Sequence, residues 1–123
     1  MGRPMTLEHI KDILSAQVLC GDQHMTRPIE SCFACDLVSE MLLYLNPGSL
    51  LITSLMSAHI LHTAQVMDAS AVVFVGGKRP DAGIINTAEL NGIPLLSTTH
   101  LMFESCGLIF ANGIRGDRIK WGD

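Results

Sequence analysis

Apolar residues fall along this chain in two alternating rhythms: short unbroken runs, and longer stretches with an apolar position every third or fourth residue. The first rhythm is that of a strand covered on both faces in a parallel sheet, and the second that of a helix with one buried stripe. Ala71-Val72-Val73-Phe74-Val75 is the purest run, and Gly76-Gly77-Lys78-Arg79-Pro80-Asp81 turns the chain behind it. Asp81 is placed to cap a helix whose buried stripe is Ile84, Ile85, Ala88 and Leu90. Asn91-Gly92 closes that helix before a further strand, Ile93-Pro94-Leu95-Leu96-Ser97.

The same grammar extends in both directions. Thr6 can cap a helix to about Ala16 with Leu7, Ile10, Ile13 and Leu14 on one side, and Val18-Leu19-Cys20 reads as a strand behind it. Ile29 to Leu37 reads as a strand of mixed polarity, followed by a helix through Met41-Leu42-Leu43-Tyr44 that stops at Asn46-Pro47-Gly48. Ser49 to Thr53 forms a strand and His59 to Met67 a helix. A last helix holds Leu101, Met102, Phe103, Cys106, Leu108 and Ile109 before Asn112-Gly113. Such alternation predicts an α/β fold, a three-layer sandwich around a mostly parallel sheet of about five strands with right-handed crossovers. One domain spans residues 1–113, and the polar residues 114–123 form a tail expected to fray.

Composition narrows the partners. The 123 residues are enough to bury a core without metals or disulfides. Apolar residues make up 48% and charged ones only 16%, a shortage of surface charge that an oligomer interface would relieve. A homodimer burying about 1,600 Å² or more through helices carrying Met or Leu is the expectation. A net charge of −4 without a basic cluster argues against nucleic acid. The apolar stretches stop well short of the ~20 residues that span a bilayer, and Met1-Gly2-Arg3-Pro4 leads into no signal core. The expected setting is cytoplasmic, without membrane contact and with four reduced cysteines.

Candidate chemistry gathers at the carboxyl ends of the strands, where ligands collect in such sheets. Gly76 and Gly77 would let the backbone approach an anion, the following helix would lend its positive end, and Lys78 or Arg79 would complete the charge. Thr53, Ser97 and Thr98 would add hydroxyls, and Arg27 would arrive from elsewhere. The loop lacks the full spacing of a dinucleotide or phosphate loop, so a plain turn is the competing reading. Cys32-Phe33-Ala34-Cys35 has the spacing of half a metal or redox site, with His24, Asp36 and Cys106 as conceivable helpers. On a strand, however, residues three apart point to opposite faces about 10 Å from each other, which predicts no metal and no disulfide. His59 and His62 share a helix face but have no third ligand in the pattern. Glu104 reads as part of a capping box with Thr99 or His100. No nucleophile–base–orienter trio and no cofactor motif emerges.

Tyr44-Leu45-Asn46-Pro47-Gly48-Ser49-Leu50-Leu51-Ile52-Thr53, Val75-Gly76-Gly77-Lys78-Arg79-Pro80-Asp81 and Gly92-Ile93-Pro94-Leu95-Leu96-Ser97-Thr98 with Phe103-Glu104 together resemble the DRTGG domain family over nearly the whole chain. Met25 to Cys32 matches the naming motif, keeping Arg27 and carrying Ser31 and Cys32 where the family has glycines. The resemblance implies a fold like the N-terminal domain of HPr kinase. It also implies a dimeric, non-catalytic regulatory or accessory domain that senses a small anionic metabolite or nucleotide, or adapts to a metabolic enzyme. A rival reading is a redox or cluster-handling accessory of a hydrogenase-like system that uses Cys32 and Cys35.

Overall fold

In the computed structural model, described over residues 4–118, the elements run α1 (Leu7–Leu14), β1 (Gln17–Cys20), β2 (Ser31–Ala34), α2 (Val38–Tyr44), β3 (Ser49–Thr53), α3 (Ala58–Val66), β4 (Ala71–Phe74), α4 (Ala82–Leu90), β5 (Leu95–Ser97) and α5 (Met102–Ala111). The sheet has five strands in the order β1-β5-β4-β3-β2. β2 to β5 are parallel, and β1 lies antiparallel against β5 with an irregularity between Val18 and Cys20. The three-layer, mostly parallel α/β architecture read from the apolar rhythm is the one observed.

Side-chain alternation along the central strands builds two cores. Leu51, Val72, Phe74 and Leu95 face one way and pack with Met41, Ile60, Leu61, Ala64 and Ala88 of α2, α3 and α4. Leu50, Ile52, Ala71, Val73 and Leu96 face the other way and pack with Leu7, Ile10 and Leu14 of α1 and Ile109 of α5. Each parallel strand is laid beside its predecessor, so successive right-handed crossovers return along the same side and put all three connecting helices on one face. Helices α1 and α5 cover the opposite face. Strand order never reverses within the parallel set, and it is at such a reversal that a doubly wound sheet opens its usual ligand crevice.

Local signals explain the helix starts. Thr6 caps α1 by accepting from the His9 N–H at 3.4 Å, while the His9 ring accepts from the Thr6 N–H at 3.0 Å, closing a capping box with histidine in the place usually held by Glu. Asp81 caps α4 by accepting from the Ile84 N–H at 3.0 Å.

Four departures from the sequence reading concern the elements and their ends. The strand expected over Ile29 to Leu37 is regular only over Ser31–Ala34, because Ile29 pairs with Met5 instead and Leu37 already begins α2. Leu90 is not on the buried stripe of α4 but 86% exposed, since the helix ends there and turns its last residue outward. Glu104 makes no capping box. α5 starts from Leu101 without a side-chain cap, and Glu104 lies 4.0 Å from the His100 ring. Finally, the chain does not fray directly after Gly113, while residues 119–123 of the expected tail lie outside the described residues. Ile114 is buried in the second core, and the backbone beyond it pairs with the edge strand through Cys32 N–H to Arg115 C=O at 3.0 Å and Asp117 N–H to Cys32 C=O at 3.2 Å.

Candidate functional site

The carboxyl edge of the sheet holds most of the chemistry expected there. β3, β4 and β5 end side by side, in register Thr53 with Phe74 and Phe74 with Ser97, so Thr53, Gly76, Gly77, Lys78, Ser97 and Thr98 gather on one edge. Their hydrogen-bonding groups, however, face one another. Gly76 donates its N–H to His100 C=O at 2.8 Å and Gly77 donates to Thr98 C=O at 2.7 Å, so neither amide points at a ligand. Both glycines sit at φ +72°, where a side chain is strained, and this positive φ is what folds the loop back onto the segment after β5.

The hydroxyls are engaged in the same way. Ser97 donates to Lys78 C=O at 2.7 Å and Thr98 to Leu14 C=O at 2.7 Å. Thr53 donates to the Asp36 carboxylate at 2.8 Å. Ser54 adds its N–H at 2.7 Å and its hydroxyl at 2.6 Å to that carboxylate. Desolvation alone would raise the Asp36 pKa, but the bonds from Ser54 and Thr53 and the charge of Lys78 outweigh it and hold the carboxyl below the ordinary value. Arg79 bonds the Gln17 side chain at 3.0 Å. What remains is a tied-down edge with an exposed Lys78 ammonium. Asp36, considered from sequence only as a metal helper, is the residue that organises it.

Arg27 does not reach this edge. It lies at the amino end of the sheet, where Nη1 donates to Ser70 C=O at 2.9 Å and to Gly92 C=O at 3.4 Å, the carbonyls at the entrances to β4 and β5. Topology is the cause: Arg27 precedes β2, and segments that enter parallel strands lie at the amino edge. A cavity of about 340 Å³ opens beside it, bordered by Gly48, Gln65, Asp68, Ser70, Asn91 and Gly92 among others. The Nε and Nη2 donors of Arg27 have no hydrogen-bond partner among the described residues. Gln65, Asp68 and Asn91 come from the last turns and ends of α3 and α4. A polar residue at a helix end just before a strand was the signal in the sequence for this edge.

The remaining candidates separate. Cys32 packs into the core beneath α1 and α5, and Cys35 into the one beneath α2 to α4, so the pair points to opposite faces. Burial, with Cys106 and Asp117 nearby, pushes the Cys32 thiol far above its usual value, and burial also raises Cys20 and Cys106. Among the described residues no group of three or more His, Cys, Asp or Glu side chains could hold a metal ion. That arrangement lends no support to a metal or redox role for Cys32 and Cys35. His62 borders a groove of about 480 Å³ between α3 and α4 with Asp81, Ile84 and Thr87, and His59 is exposed. Among the described residues no helix is long and apolar enough to cross a membrane.

Comparison with known proteins agrees with the architecture. No curated protein matches this chain. Among solved structures, the crystal structure of the CBS and DRTGG domains of the regulatory region of Clostridium perfringens pyrophosphatase, complexed with its activator diadenosine tetraphosphate, has a similar fold. The TM-score is 0.71 at 24% identity, over 85% of this chain and 45% of that one, so this chain spans about half the length of that structure. The DRTGG domain matches residues 9–111, from within α1 to the end of α5. On that match the chain belongs to the DRTGG domain family.

Proposed function

We propose that this chain is a non-catalytic regulatory domain that works as a two-fold dimer. It takes up a small anionic metabolite or nucleotide and passes the binding event to a metabolic enzyme. The observation that carries the ligand reading is the Arg27 guanidinium, anchored on two carbonyls through Nη1 and open through Nε and Nη2 beside a cavity of about 340 Å³. That size lies in the range of small-molecule pockets, roughly 300–1,000 Å³. The carboxyl-terminal ends of α3 and α4 carry partial negative charge at this edge, so an anion needs the arginine beside it. Gln65 and Asn91 offer amides and Asp68 a carboxylate, which suit the hydroxyl and amine donors of a ribose and base. A nucleotide combines those donors with phosphate acceptors. The diadenosine tetraphosphate held by the pyrophosphatase regulatory region supports the same ligand class, and that protein's regulatory role supports a non-catalytic one here.

The test is a thermal-shift and calorimetric series with inorganic phosphate, the adenosine mono-, di- and triphosphates and diadenosine tetraphosphate. At least one nucleotide should raise Tm. Arg27→Ala and Asn91→Ala should each weaken its binding by roughly tenfold to a hundredfold, while Lys78→Ala leaves it unchanged. No stabilisation by any of these compounds would overturn the reading. Binding lost in Lys78→Ala and kept in Arg27→Ala would return the site to the carboxyl edge, with Gly76, Gly77, Thr53, Ser97 and Thr98.

A further inference from the structure

The outer face of α5 carries a knob and a groove on the same ten-residue helix. Ser105 and Ile109 point into the core, and on the opposite side Phe103, Gly107 and Phe110 follow one another at spacings of four and three residues. Phe103 is 90% exposed and Phe110 59%. Among the described residues, and apart from its chain neighbours and the helix's own backbone, nothing lies within 4 Å of the position a side chain would take at Gly107. Phe103, Glu104, Gly107 and Leu108 border a groove of about 390 Å³ there. Solvated aromatic side chains flanking a bare helix backbone lose favourable burial unless something covers them.

We propose that a second copy of this chain covers this face, with α5 crossing the partner's α5 antiparallel at Gly107. This deepens the dimer proposed above and rests on it. Two-fold symmetry about Gly107 sets position 104 of one copy opposite position 110 of the other, so each Phe110 enters the groove that Gly107 leaves on its partner. Charge is matched by the same operation. Arg115 stacks its guanidinium 4.4 Å from the centre of the Phe110 ring, and Glu104 has a largely exposed carboxylate whose only ionic neighbour among the described residues is His100 at 4.0 Å. Seating Phe110 therefore brings Arg115 beside the Glu104 of the other copy, and the symmetry makes that contact twice. An unrelated partner would have to supply both a matching aromatic knob and the opposed charges; a second copy brings them by construction.

Sedimentation equilibrium on the full chain decides between the outcomes. The wild type should be a dimer at micromolar concentration, and Phe110→Glu should raise the dissociation constant roughly thirtyfold or more without lowering the thermal stability of the fold. Glu104→Arg should weaken the dimer and Glu104→Arg with Arg115→Glu should restore it. Gly107→Cys should give a covalent dimer under mild oxidation, in amounts the wild type, with its buried and half-buried cysteines, does not reach. A wild-type dimer that survives Phe110→Glu and does not cross-link through Gly107→Cys would overturn the α5 interface while leaving the dimer standing. A wild-type monomer at 100 μM, about a hundred times the micromolar range expected of a specific interface, would overturn both.

Discussion

The two edges of the sheet reverse the roles that their residue types suggest. The carboxyl edge has two adjacent glycines, three hydroxyls, a lysine and an arginine, yet its amides and hydroxyls are bonded to His100, Thr98, Lys78, Leu14 and Asp36 within the domain. The amino edge has one loop arginine, Arg27, and a few amides, yet it holds a polar cavity and an arginine with donors to spare. A ligand site is made by groups left unbonded, and residue type does not show which groups those are. Strand order adds a second cause. Sequential crossovers leave no reversal between neighbouring parallel strands, so the carboxyl edge closes over instead of opening into a crevice.

The sharpest way to break this contrast is to truncate the cation on each edge and compare unfolding in urea. Arg27→Ala strips the Ser70 and Gly92 carbonyls of a charged donor and should cost about 2–3 kcal/mol. Lys78→Ala, at an exposed residue whose ammonium has no hydrogen bond among the described residues, should stay within about 0.5 kcal/mol. Equal losses would erase the distinction between an anchored arginine and a solvated lysine. A smaller effect tests whether the glycine loop is a built turn. Gly77→Ala, at φ +72°, should cost about 1–2 kcal/mol in the absence of any ligand. No loss would mean that the left-handed backbone is dispensable.

The smallest effect concerns Asp36 and is read as a function of pH. Its folded pKa lies below the ordinary 3.8, so its contribution is fully present above that value and is lost as pH falls through the lowered folded value. Asp36→Asn should remove about 1 kcal/mol at neutral pH and flatten the acid limb of the stability profile, the carboxylate's exposure keeping the effect modest. An unchanged acid limb would mean that other carboxylates control it.

These contrasts mark what a sequence of this kind discloses. Ala71 to Val75, the Asp81 cap and the buried stripe of α1 were legible because periodicity and capping are local. The outward turn of Leu90 and the docking of Ile114 were not, because a single apolar residue at an element's end carries no period. The direction of β1 was hidden for a related reason: alternation shows that a strand has covered faces and says nothing about which way its neighbour runs. Arg27 is different. Its place before β2 consigns it to the amino edge, apart from the residues that follow strands. The engagement of Thr53, Ser97 and Thr98 is set only by the assembled fold, since a helix cap, a carbonyl acceptor and a ligand contact ask for the same hydroxyl.

The segment after Gly113 has a bearing on solubility. β2 is an outer strand of the sheet, and Arg115 to Asp117 occupy part of its outer hydrogen-bonding edge, held there by Asp117 accepting the Asn46 N–H at 2.7 Å and the Ser49 hydroxyl at 2.8 Å. An uncovered outer strand is a template for pairing with other chains. Cutting the chain after Ile114 should therefore leave the helices and both main cores largely intact and yet turn a dispersed protein into one that self-associates through β2, with light scattering rising before any loss of helical circular dichroism. Asp117→Ala should reproduce a weaker form of the same behaviour. On this view Arg115 to Asp117 act as a built-in chaperone for the strand that carries Cys32.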